Sequence, residues 1–135
     1  MILAINTANE KISIALYEKG KIEKELPWES YRTQSKELLP EIDKLMKKNK
    51  IKLADIDAIA VNHGPGSYTG LRVGISIANT LGWSLDKPVV GVNSKNKAED
   101  KMSALAIAKE AEEHLNKKKI SKFQRIVIPR YNSKI

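Results

Sequence analysis

The chain contains no cysteine, which excludes disulfides, thiolate metal sites and thiol nucleophiles. Its two histidines, His63 and His114, stand far apart, and no His/Asp/Glu cluster has metal-ligand spacing. Ser67 has no evident base beside it and stands in no Gly-x-Ser-x-Gly elbow, so no catalytic set and no cofactor is expected. No apolar run approaches the roughly 20 residues that cross a bilayer. Met1-Ile2-Leu3-Ala4-Ile5 turns polar at Asn6 without a basic start, too short for a signal peptide. A cytoplasmic protein with no membrane association is the expectation. Aromatic residues make up 5% of the chain.

What remains is ordinary for one globular domain: 135 residues, 41% hydrophobic and 30% charged, enough chain to bury a core. The formal net charge is +8, unevenly placed. Residues 1–94 carry 13 Lys/Arg against 11 Asp/Glu, a net of +2, and residues 95–135 carry 11 against 5, a net of +6. The basic tail suggests an anionic partner such as RNA. A lysine-rich solvated surface explains it as well, because only Phe123 and Tyr131 accompany the tail, which gives base stacking little support.

Ile2–Asn6 reads as an apolar, central strand. Lys11–Tyr17 alternates, with Ile12, Ile14 and Leu16 on one face and Ser13 and Ala15 on the other, as a half-buried strand does. After a Gly20 turn, Ile22–Trp28 is a more polar edge strand, where Pro27 is tolerated. Leu38, Leu39, Ile42, Leu45 and Met46 mark an amphipathic helix from about Gln34 to Lys48 that begins or bends at Pro40. Ile51–Asp55 connects, with Asp55 able to cap a short turn. Ile56–Val61 is a buried strand, Leu71–Leu85 a helix, Val89–Val92 a short buried strand. Met102–Leu115 is an alanine-rich helix with Leu105, Ala108, Ala111 and Leu115 on one face, and Phe123–Ile128 is a candidate last strand. The fold class is α/β with a mixed sheet.

The most distinctive stretch is the glycine loop His63–Gly74 between strand and helix. Gly70 is followed by Leu71, so it is no P-loop, and Gly64-x-Gly66-x3-Gly70 misses the dinucleotide fingerprint by one position. Two readings of the loop stay open. Gly64, Gly66, Ser67, Tyr68 and Thr69 can offer helix N-terminal N–H groups to an anion or nucleotide, or Ser67 or Thr69 is simply the helix cap. Behind the loop, Gly70, Gly74, Ala78 and Gly82 recur every fourth residue and fall nearly on one line of the helix. Glycines in a helix cost roughly 1 kcal/mol each against alanine, so close approach of another backbone is expected as compensation. That backbone belongs either to the domain's own sheet or to a partner's helix. In the second case Arg72, Asn79 and Trp83 flank the contact as anchors.

Gly64-Pro65-Gly66-Ser67-Tyr68-Thr69-Gly70-Leu71-Arg72-Val73-Gly74 closely resembles the signature of the TsaB (YeaZ) family. Ile2–Ala8, the Leu38-Leu39-Pro40 run and Pro88–Ser94 are similar to it too, so the resemblance covers about residues 1–94. It implies one lobe of the ribonuclease-H-like, actin-like ATPase superfamily, ordered βββαβαβ; residues 95–135, beyond its reach, are expected to add a helix and basic tail to the same compact domain. It also implies a non-catalytic scaffold, once classed with M22 glycoproteases, that resembles the enzyme TsaD. Such a subunit works with TsaD and the ATPase TsaE in making threonylcarbamoyladenosine at tRNA position 37, and pairs with TsaD or itself through N-terminal-lobe helices. Homodimerisation alone is the matching expectation. The enzyme's His-x3-His is absent, its place taken by Gln34–Leu38. Asn6 stands where the family usually has aspartate, which weakens a nucleotide or metal role there. Most of the family's second lobe is expected to be lacking, with Phe123–Tyr131 similar to its C-terminal strand. Two other functions compete: a self-associating RNA-binding module using the lysine tail, and an M22-type hydrolase, which the missing histidines disfavour.

Overall fold

Apolar β-branched runs bounded by turn residues make the strands here, and one mixed sheet gathers all those described. The computed structural model describes residues 1–8, 11–29, 34–66, 68–93 and 103–117. Ile2–Asn6 (β1), Lys11–Glu18 (β2) and Ile22–Glu29 (β3) form an antiparallel meander. Ala58–Gly64 (β4) and Val89–Asn93 (β5) add in parallel, giving the order β3-β2-β1-β4-β5. β1 is central and β3 an edge, as its Pro27 requires.

Helices Gln34–Lys48 (α1) and Tyr68–Leu85 (α2) cover one face, and Ala104–Lys117 (α3) the other. Leu3, Ile5, Ile14, Leu16, Ile59 and Val61 meet Leu38, Ile42, Leu45 and Met46 of α1 and Leu71, Ile75 and Ala78 of α2. On the opposite face Ile2, Ala4, Ala15, Tyr17, Ala58 and Ala60 meet Ala104, Ile107, Ala108 and Ala111. The alternation of β2 therefore describes two buried faces and not a half-exposed strand, because α3 covers the second one.

Several boundaries differ from the sequence expectation. α1 runs through Pro40, which sits on its exposed side. β4 extends to Gly64, so His63 belongs to the strand, and α2 begins at Tyr68, three residues before Leu71. The buried stripe of α3 is Ala104, Ile107, Ala108 and Ala111, leaving Leu105 and Leu115 at its margins. Asp55 does close a short 3₁₀ turn, its carboxylate accepting from the Lys52 N–H at 2.8 Å. The candidate strand Phe123–Ile128 and the lysine tail beyond residue 117 lie outside the described residues.

Candidate functional site

Three consecutive residues at the end of β1 build the site, each matched to one piece of the glycine loop or α2. The side-chain carbonyl of Asn6 accepts from Asn62 Nδ2 at 3.1 Å and from the Ala8 N–H at 3.2 Å. Asn62, at the matching end of β4, accepts in turn from the Gly64 N–H at 2.9 Å. This buried chain of amides carries no charge and moves no proton near neutral pH; its work is to join two parallel strands and start the loop. Gly64 then takes φ +112°, a conformation that side chains rarely adopt.

Ala8 lies against Gly66 so closely that a Cβ there would stand 2.8 Å from both its methyl and its carbonyl oxygen. Thr7, fully buried, donates its hydroxyl to the Gly70 carbonyl, and a Cβ on Gly74 would overlap that same hydroxyl. At the far end of α2, a Cβ on Gly82 would collide with Val89 and come within 3.0 Å of the Lys87 carbonyl. Ala78 between them is fully buried in the core.

These contacts decide the direction of the small-residue line. Gly70, Gly74, Ala78 and Gly82 are all buried against the chain's own sheet and its connections, so they are not surface that a partner can touch. The expectation that they contact a partner is corrected: the close approach that compensates for helical glycine comes from Thr7 and Val89. Residues two positions further along a helix point about 200° away. Accordingly Arg72, Ser76, Thr80 and Ser84 are exposed, each two after a buried small residue. Of the anchors expected from sequence, Arg72 is exposed, Asn79 half-buried, and Trp83 77% exposed beside this outward line.

The loop residues divide as well. Gly64 is buried, Gly66 half-buried, and Thr69 is exposed inside the first turn of α2 and so is not its cap. Tyr68 opens the helix, and Ser67 lies outside the described residues. Sequence reasoning missed Thr7, Asn62 and Val89 as partners of the loop and helix, since no local pattern marks a contact 63 residues away in the chain.

The opposite layer is tied by polar bonds. Ser13 accepts from the Ala104 N–H at 2.9 Å, and Tyr17 donates to Glu112 at 3.4 Å. Burial, then the Glu112 and Glu23 carboxylates, push the Tyr17 phenol above its ordinary pKa. Among the described residues no helix is long and apolar enough to cross a membrane.

Residues 18–97 match the family model of the tRNA N6-adenosine threonylcarbamoyltransferase TsaD. The tRNA threonylcarbamoyladenosine biosynthesis protein TsaB of Haemophilus influenzae is 37% identical over 93 residues, covering 69% of this chain and 39% of that protein. The solved structure of YeaZ from Pseudomonas aeruginosa superposes with a TM-score of 0.65 at 33% identity, over 68% of this chain and 43% of that one. RuvC of Thermus thermophilus superposes with a TM-score of 0.58 at 9% identity, over 86% of this chain and 94% of its own, which shows a ribonuclease-H-like fold and nothing more. The chain spans 39% to 41% of the length of the first three curated TsaB relatives.

Proposed function

The chain belongs to the family of the TsaD model, on its TsaB (YeaZ) branch, and from that premise we propose that it serves threonylcarbamoyladenosine formation on tRNA as a non-catalytic subunit. It docks on a TsaD-like transferase, or on a second copy of itself, by the outward line of α2. The observation that carries this is the four-residue alternation of that helix. Its small residues are consumed by the chain's own sheet, while Arg72, Ser76, Thr80 and Ser84 stay exposed with Trp83 beside them, 77% exposed. A large exposed aromatic beside small hydroxyl side chains combines an anchor with a surface that another helix can approach. The buried Asn6–Asn62 pair supports the non-catalytic part. Uncharged amides with their hydrogen bonds satisfied within the fold offer neither a general base nor a metal ligand of the carboxylate kind.

The test is mass in solution, alone and mixed with the threonylcarbamoyltransferase of the same organism. A stable one-to-one or two-to-two complex supports the reading. Two species that sediment independently at micromolar concentration overturn it.

A further inference from the structure

Besides the core packing of Leu71, Ile75 and Ala78, helix α2 meets specific contacts at the two ends of its inward line, and these differ in kind. At its C-terminal end the Lys87 N–H donates to the Gly82 carbonyl at 2.9 Å, with Asp86 at φ 57°. That is the helix's own closing turn, and the contact with Val89, beside the packing of Ile77 and Leu81 on the core, ties it to the sheet. At the N-terminal end the hold is Thr7, which stands directly after the central strand β1. Its hydroxyl reaches the Gly70 carbonyl from outside the helix, and its side chain fills the hollow over Gly74. The hydrogen bond is directional and the hollow resists sliding, so together they add to the packing of Leu71 and Ile75 in setting the rotation and axial position of the helix's N-terminal end.

Rotation matters because the inward and outward lines are opposite sides of one rod. A turn of about 20° moves atoms 5–6 Å from the axis by roughly 2 Å. Interfaces packed as densely as protein interiors do not absorb such a shift. We propose that Thr7, buried inside the fold, is a positioning residue for docking: its hydroxyl, added to the core packing of Leu71, Ile75 and Ala78, sets the angle at which α2 presents Arg72, Ser76, Thr80 and Trp83. This rests on the docking role proposed above.

The experiment titrates the threonylcarbamoyltransferase of the same organism against four forms of the chain, at a temperature well below every Tm. Thr7→Val keeps the shape and loses the donor, Thr7→Ser keeps the donor, and Ser76→Arg blocks the outward line. The expected results are binding weakened about three- to tenfold by Thr7→Val, within about twofold of wild type for Thr7→Ser, and lost for Ser76→Arg. Should Thr7→Val fail to fold, Thr7→Ala removes the donor without adding bulk and carries the same expectation. If Ser76→Arg abolishes binding while Thr7→Val lowers only the Tm, Thr7 is merely structural and the inference is overturned. If Thr7→Ser is as weak as Thr7→Val, the hydroxyl is not the determinant, and the inference falls too. Unchanged binding by Ser76→Arg overturns the docking face itself and the role of Thr7 with it.

Discussion

Gly74 and Thr7 share one space: the Cβ that Gly74 lacks would fall on the Thr7 hydroxyl. Helix propensity alone favours Gly74→Ala by about 1 kcal/mol. Overpacking a buried contact costs about 1–3 kcal/mol and is expected to outweigh that gain. In the Thr7→Ala background the nearest remaining Thr7 carbon stands 3.3 Å from the new methyl, tight but tolerable. Chemical denaturation of both single variants and the double variant should therefore show a favourable coupling of about 1 kcal/mol or more. Strict additivity would mean that the two side chains do not compete.

Gly82 gives a contrasting case. A methyl there meets Val89 and also the Lys87 carbonyl at 3.0 Å. Gly82→Ala should destabilise by about 1–3 kcal/mol, and Val89→Ala should restore only part of that loss, because the backbone oxygen stays in place. Denaturation midpoints of the single and double variants decide it.

Asn6→Ala leaves Asn62 Nδ2 and the Ala8 N–H without their acceptor. Each orphaned buried group costs about 1–3 kcal/mol, so a loss of about 2–4 kcal/mol in unfolding free energy is expected. Slowed exchange at the Gly64 amide should be lost with it, since that N–H is bound by Asn62. An Asn6→Ala variant as stable as wild type would show that the amide chain does not hold the loop.

Tyr17 predicts an alkaline effect. Its phenol titrates above the ordinary value of 10.0 in the folded chain, through burial and the nearby Glu112 and Glu23 carboxylates. Between the unfolded and folded values the unfolded state binds fewer protons, so stability present below pH ~10 is lost as pH rises through the folded value. Tyr17→Phe should flatten that part of the stability curve between pH 9 and 11.5 (roughly the span around the phenol's ordinary pKa), measured by thermal melts. An unaltered alkaline decline would place its cause elsewhere.

Much of this fold is legible in the residues themselves. The apolar run Ile2–Ile5 marks a central strand, Pro27 an edge, and the glycine-rich stretch a strand-to-helix junction. The spacing of Gly70, Gly74, Ala78 and Gly82 is legible as a line, but periodicity states only which residues share a face. Which neighbour that face meets depends on Thr7 and Val89, placed by the sheet and invisible to local pattern. The same limit hides α3's cover over β2: Ser13 and Ala15 read as an outer face, and only the tertiary contact with Ala104 shows them enclosed. The helix does not begin at Pro40 but runs through it, carried by the packing of Leu38, Ile42, Leu45 and Met46 against the core.

Docking through the outward line of α2 is tested most directly by the affinity of the same organism's threonylcarbamoyltransferase for two charge-adding variants. Ser76→Arg sits mid-line on α2, and His114→Arg sits exposed on α3 in the opposite layer. The expected result is binding lost for Ser76→Arg, with an unchanged Tm, and wild-type affinity for His114→Arg. Wild-type affinity for Ser76→Arg would contradict it.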